Sequence, residues 1–387
     1  MQQDSMIKYI GVDDTDIRLF ENQYPVPEGM AYNSYLIDDE KCAILDTVDI
    51  RKADLWLQNL EKALCGRTPD YLVVHHLEPD HSALIGKLLE KYKNLQVVAT
   101  QKALQMLPQF FENVDIEGRA VAVKDGDTLS LGKHTLRFLT APMVHWPEVM
   151  VSFEEQTGIL FSADAFGKFG ALSVPTDEDW ACEARRYFFN ICGKYGAPVQ
   201  TLLRKVAGLK VNAIYPLHGP QLTNDLPYYI RLYDIWSKYE AEREGMFVGY
   251  ASIHGGTKIV AEYVAKLLQD KGVDVCLMDL TETEVSFAVE DAFAYGKAIL
   301  LAASYDAGLF PPMHNLLHHL QQKAWQNKTV ALVENGSWAP SAGRVMKQML
   351  ETMKDIRLVE PVVTIRSRMK EQDKAQLETL VNQIINS

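Results

Sequence analysis

Six consecutive residues, His76-Leu77-Glu78-Pro79-Asp80-His81, carry four side chains able to ligate a metal ion. Carboxylates and imidazoles this close are mutually unfavourable unless cations neutralise the acids and use the imidazole lone pairs. Asp80 is also placed to cap a helix starting near Ser82, an ordinary role for aspartate in a turn. Three further residues favour the metal. His145 lies in Pro142-Met143-Val144-His145-Trp146, after the run HTLRFLTAP; Asp164 follows GILFS; His218 follows AIYPL and precedes Gly219-Pro220. Each stands just past an expected strand, and ligands from separate strand ends can converge on one edge of a sheet sandwich. His75 is expected to alternate to the other face of its strand and is left out of the ligand set.

A second chemical signal lies in the other half of the chain. Ser252-Ile253-His254-Gly255-Gly256-Thr257 follows the strand-like MFVGYA and opens a helix. Two glycines let the backbone approach a phosphate, and the N–H groups and helix dipole favour its charge. Ser252 and Thr257 add hydroxyl donors. Ser304-Tyr305-Asp306-Ala307-Gly308 follows KAILLAA, and Glu334-Asn335-Gly336-Ser337-Trp338-Ala339-Pro340 follows TVALV. Loops at the C-terminal ends of strands are where open α/β sheets bind ligands. Tyr305 and Trp338 are placed to flank a flat ring, and the backbone of 306–308 and 335–336 to meet its polar edge. No G-x-G-x-x-G with a downstream acid is present, so a tightly bound NAD is not expected. His314 and His318 are one helical turn apart, with His319 beside them. They lack a third ligand and read as a polar helix face.

The elements around these residues divide into two patterns. Up to about 244, strands are expected at 33–38, 41–46, 71–75, 96–99, 119–123, 134–140, 149–153, 158–162 and 213–216. Helical periodicity covers 51–64 and 82–92. From 246 the rhythm becomes β-α-β-α, with strands at 246–251, 273–280, 297–303 and 329–334, a helix at 257–270 and an amphipathic tail at 369–387. That rhythm predicts a doubly wound parallel sheet. The segment 224–244 reads as helical, so the expected domains are 1–244 and 245–387.

Composition narrows the function. The chain has 387 residues and a net charge of −12, without a basic tract, so nucleic-acid binding is not expected. No apolar run approaches the ~18 residues that span a bilayer. The N-terminal MQQDSMIKYIGVDD has neither the basic nor the apolar region of a signal peptide, and a cytoplasmic protein is expected. The five cysteines are scattered without a C-x-x-C pair, which argues against a disulfide framework or a thiolate-bound metal.

In order and spacing, H-x-E-x-D-H, His145, Asp164 and His218 resemble the metallo-β-lactamase-like domain of flavodiiron proteins (A-type flavoproteins). The second half resembles the flavodoxin-like domain of that family. Hydrolytic zinc relatives have H-x-H-x-D-H, whereas Glu78 stands at the third position here; a harder carboxylate donor favours iron over zinc. The resemblance implies an α/β chain with an N-terminal αββα metallo-β-lactamase-like sandwich and a C-terminal flavodoxin-like doubly wound parallel sheet. It implies one iron at His76, Glu78 and His145, another at Asp80, His81 and His218, and Asp164 bridging them. It implies FMN in the second domain, reduction of dioxygen to water or nitric oxide to nitrous oxide, and a head-to-tail homodimer. Trp146 would wall the pocket, and Tyr195 stands where relatives carry a tyrosine near the metals. A histidine at His254 departs from the hydroxyl or small polar residue usual in flavodoxin loops. Without a C-x-x-C module, the expected donor is a separate protein such as rubredoxin, or a reduced deazaflavin as in some relatives. The competing reading is a zinc hydrolase of the same fold with an appended flavin-binding module.

Overall fold

The computed structural model describes residues 4–111, 114 and 116–387, and the chain separates into two compact units, Met1–Asp234 and Ile235–Ser387. The expected boundary at 244 falls inside the second unit, just before the strand Met246–Ala251.

The first unit contains two packed sheets. One runs in the order Ile7–Tyr9, Tyr35–Asp38, Cys42–Leu45, Tyr71–Val73, Gln96–Thr100, Ala120–Val123. The other runs Thr128–Ser130, Thr135–Thr140, Met150–Glu154, Ile159–Phe161, Ala213–Tyr215. Alternate residues of both meet in one apolar core, including Tyr35, Ile37, Leu45, Val73 and Val98 against Leu136, Phe138, Met150, Phe161 and Tyr215. Burying each such side chain contributes roughly 1.5–3 kcal/mol. The outer faces carry helices. Ala53–Leu64 buries Ala53, Trp56, Leu60 and Leu64 at helical spacing and packs on the first sheet. Gly196–Val206 covers the second sheet, where Lys205 Nζ donates to the Thr140 carbonyl at 2.7 Å. This is the αββα sandwich.

The second unit is the doubly wound sheet. Its five parallel strands are ordered Val275–Asp279, Met246–Ala251, Lys297–Tyr305, Lys328–Asn335, Ile356–Ile365, or 2-1-3-4-5 in chain order. That order is flavodoxin-like, with a switch point between the first and third strands. Helices Gly256–Gln269 and Glu371–Ile385 bury Val260, Val264, Leu268, Leu377 and Leu380 on one face. Helices Val285–Ala294, Pro311–Gln322 and Ala342–Leu350 pack together on the other. Among the described residues, no helix is long and apolar enough to cross a membrane.

Candidate functional site

The seven expected ligands are gathered at one edge of the sandwich. His76 leaves the end of Tyr71–Val73, Asp164 the end of Ile159–Phe161 and His218 the end of Ala213–Tyr215. Their donor atoms form two groups: His76, Glu78, His145 and Asp164, and Asp80, His81 and His218. Asp164 joins the groups. Its Oδ2 is 3.3 Å from both His76 Nε2 and His145 Nε2, while its Oδ1 is 3.3 Å from His81 Nε2 and 3.6 Å from His218 Nε2. Glu78 Oε2 lies 3.2 Å from His76 Nε2 and 3.0 Å from His145 Nε2. Asp80 Oδ2 lies 3.3 and 3.2 Å from His81 and His218 Nε2. The Nε2 atoms of His81 and His218 face each other at 3.0 Å.

These groups fit two cations better than they fit one another. Asp80 and Asp164 are buried, yet no hydrogen bond of ordinary geometry reaches any of their four carboxylate oxygens. Unpartnered buried carboxylates are strongly unfavourable unless a cation compensates them. Asp80 therefore caps no helix. It lies in the short helix Pro79–Ser82, whose N-cap is Glu78. Left-handed backbone at Met143, Ala163 and Phe166, with φ of 65°, 51° and 66°, gathers around His145 and Asp164. Such conformations cost on the order of 1 kcal/mol each and persist where neighbours over-determine them.

The electrostatics point the same way. Burial alone would lower His145, but Asp164 and Glu78 lift it to about 9. His76 is likewise raised, the pull of Asp164 and Glu148 outweighing its burial. Burial pushes Asp80 up to about 7. The metal-free protein thus holds protons near pH 7 that cations must displace. Loading with a divalent cation at pH 7 is therefore expected to release protons, and affinity to rise with pH through about 9, as His145 loses its proton. Calorimetric titrations in buffers of different ionisation enthalpy count those protons. PH-independent binding would contradict the arrangement.

Outer partners aim the imidazoles. His76 Nδ1–H donates to Glu148 Oε1 at 2.8 Å, and the Leu77 N–H donates to the same oxygen at 3.0 Å. His218 Nδ1–H donates to the Ala31 carbonyl at 2.8 Å. These bonds leave Nε2 free to face an ion. Thr47 clamps the His81 carbonyl through its N–H and hydroxyl, at 2.7 and 2.9 Å. Sequence reasoning missed Glu148, which follows the ligand His145 within one irregular stretch and carries no spacing signal.

Trp146 stands edge-on to His76, ring centres 5.0 Å apart, and stacks on Phe110. Tyr195 lies in the turn Gly193–Tyr195 and makes no ring contact with the four histidines. Besides Trp146, rings that reach the cluster include Tyr187, 5.5 Å from His218, together with Phe20 at 5.3 Å and Tyr32 at 5.8 Å. Phe20 comes from the hairpin Leu19–Phe20 and Tyr24–Pro25. Glu21 at its turn stands close enough to Glu78 and His145 to feel their charges.

In the second unit the three expected loops meet at the C-terminal edge of the sheet. Gly255, with φ 83°, is the N-cap of Gly256–Gln269, and Ser252 Oγ is buried without a partner beside it. Such an orphaned hydroxyl before a helix N-terminus fits an anionic phosphate. Thr257 is buried, whereas Ile253 and His254 are exposed. Asp306 and Ala307, with φ 46° and 57°, form the two-residue turn between Lys297–Tyr305 and Gly308–Leu309. Ser304 Oγ accepts the N–H groups of Ser341 and Ala342 at 2.8 and 3.1 Å, so its hydroxyl ties two loops. Trp338 is 88% exposed and Tyr305 46%, unusual for large rings unless a partner covers them. A fourth loop was not anticipated. Ser367 and Asn335 exchange two hydrogen bonds at 3.1 and 3.0 Å, which closes the wall behind Gly336 and Ser337.

Comparison with known proteins agrees with both halves. A family model described as "ODP family beta lactamase" matches residues 30–219. An uncharacterized protein of Methanocaldococcus jannaschii is 27% identical over 370 residues, covering 95% of this chain and 93% of its own. The anaerobic nitric oxide reductase flavorubredoxin of Pectobacterium atrosepticum is 27% identical over 358 residues, covering 89% of this chain and 70% of its own. The structure of rubredoxin oxygen:oxidoreductase from Desulfovibrio gigas matches with a TM-score of 0.93 at 24% identity, covering 100% of this chain and 98% of its own. The chain spans about half the length of diflavin flavoproteins that it also matches, 56% in Nostoc and 47% in Synechocystis.

Proposed function

We propose that the chain is a flavodiiron protein, a di-iron flavoprotein reductase that converts dioxygen to water, nitric oxide to nitrous oxide, or both. The observation that carries the reading is Asp164, whose two oxygens each face a separate cluster of donors. When bound, FMN and two iron ions would supply the redox chemistry.

The protein's own residues do the rest. His76, Glu78 and His145 would hold one iron and Asp80, His81 and His218 the other, with Asp164 shared between the two groups. Glu148 and the Ala31 carbonyl keep the imidazoles turned inward. Phe20, Tyr187 and Trp146 present apolar surface, which suits a small neutral gas and limits water. For FMN, Ser252, Ile253, His254, Gly255, Gly256 and Thr257 would cradle the phosphate. Tyr305 and Trp338 would flank the ring, while the backbone of Ser304, Asp306, Ala307, Gly308, Asn335, Gly336 and Ser337 would meet its edge.

In this reading residues 1–244 form the di-iron domain and residues 245–387 the FMN domain. Two copies assemble head to tail in the cytoplasm and draw electrons from a separate carrier such as rubredoxin. Glu78 and the flavin-type loops weigh against a zinc hydrolase. Metal and flavin analysis of protein purified without oxygen tests the proposal. About two iron and one FMN per chain are expected. About two zinc and no iron would return the hydrolase to first place.

A further inference from the structure

Beneath the ligand cluster lies a buried row of side chains outside the two donor groups. His75 Nδ1–H donates to Asp46 Oδ2 at 2.5 Å, and its backbone N–H donates to Asp46 Oδ1 at 2.7 Å. Its Nε2 meets Ser152 Oγ at 2.7 Å. An ionised Asp46 can only accept, which sets the ring so that the Ser152 hydroxyl donates to Nε2. All three residues are at most 1% exposed. Asp46 and His75 follow adjacent strands of the first sheet, and Ser152 lies in the middle of Met150–Glu154 in the second. The row therefore bridges the sandwich.

Its members adjoin both metal positions. His75 precedes His76, which belongs to the first donor group. Its carbonyl also accepts the Met150 N–H at 3.1 Å, holding the strand just after Glu148. Asp46 precedes Thr47, whose two bonds clamp His81 of the second group. A flat, rigid ring held at both ends fixes the distance between these two attachments more closely than apolar packing does. We propose that His75 is a positioning residue, and that the row Asp46–His75–Ser152 sets the spacing between the two ion positions. The inference rests on the two-ion reading of the site.

The test is stepwise zinc titration of the metal-free full-length protein against a competing chelator, beside its thermal midpoint. His75→Phe keeps a ring but breaks both ends of the row. Leu136→Ala, in the core of the same sandwich, is the control for general destabilisation. Wild type is expected to bind two ions. In His75→Phe the second should weaken by ~10-fold or more relative to the first, the scale seen when an outer partner of a metal ligand is lost. Leu136→Ala should lower the midpoint yet keep the ratio of the two constants, and His75→Gln, which retains a donor and an acceptor, should recover part of it. If the phenylalanine variant does not fold, Ser152→Ala carries the same comparison with a smaller change. A ratio unchanged from wild type would overturn the proposal. Wild-type protein binding fewer than two ions would overturn the two-ion reading itself, and this proposal with it.

Discussion

Asp164→Ala is expected to abolish gas reduction while leaving chemical reduction of the flavin unchanged. The carboxylate is the one group whose oxygens face both halves of the site, at 3.3 Å from His76, His145 and His81 and 3.6 Å from His218. Removing it deletes the shared counter-charge and leaves four buried imidazoles close to one another. Loss of an outer partner alone weakens metal sites by ~10–100-fold, so loss of the shared ligand should cut turnover by more than ~100-fold. The candidate FMN loops lie in the other unit, and flavin content should match wild type. Oxygen and nitric-oxide electrodes with chemically reduced protein read the first effect, and flavin absorbance during dithionite titration reads the second. Turnover within ten-fold of wild type would sink the mechanism.

Gly256→Ala is expected to produce the mirror image, a chain that keeps its metals but holds FMN poorly. A Cβ at Gly256 would sit 2.8 Å from the Ser367 carbonyl oxygen and 3.4 Å from Asn335 Nδ2. The first of these is backbone, in the loop that pairs with Asn335, so it cannot simply swing aside. Overpacking of this kind costs roughly 1–3 kcal/mol. If the phosphate loop absorbs that strain, FMN binding should weaken by ~5–100-fold at 1.4 kcal/mol per decade. Fluorescence titration of the flavin-free protein with FMN gives the number, and metal analysis gives the control. Affinity within two-fold of wild type would mean that this loop does not carry the phosphate.

What could be read from the sequence follows a physical pattern. The seven ligand candidates were legible because each is a polar residue just past an apolar strand, where a surface turn would ordinarily offer only solvent. The candidate flavin loops stood out for the same reason, since parallel strands are continuous apolar runs and their ends are easy to see. The strand Ile356–Ile365 was not seen. It is an edge strand whose apolar run is interrupted by Arg357, Glu360 and Pro361, so it does not show the continuous apolar stretch of the other parallel strands. Ser367, which follows it, was lost with it. The N-terminal strands Ile7–Tyr9, Val12–Asp14 and Met30–Tyr32 are too short to show a period. Helix 82–92 was expected to start at Ser82, but it starts at Ile85, and a separate short helix, Pro79–Ser82, precedes it. Glu148, Tyr187 and Phe20 reach the site only through tertiary packing, which no local spacing encodes. His75 was set aside as a non-ligand on strand alternation, and its side chain does point away, to Asp46 and Ser152.

The most direct measurement is gas consumption by the anaerobically purified protein, supplied with a reduced rubredoxin system and followed separately with dioxygen and nitric-oxide electrodes under matched conditions. The account predicts sustained uptake of at least one gas, dependent on both iron and FMN. The faster gas then distinguishes an oxygen-scavenging enzyme from a nitric-oxide reductase. Uptake of neither gas by protein carrying its full iron and FMN would contradict the account.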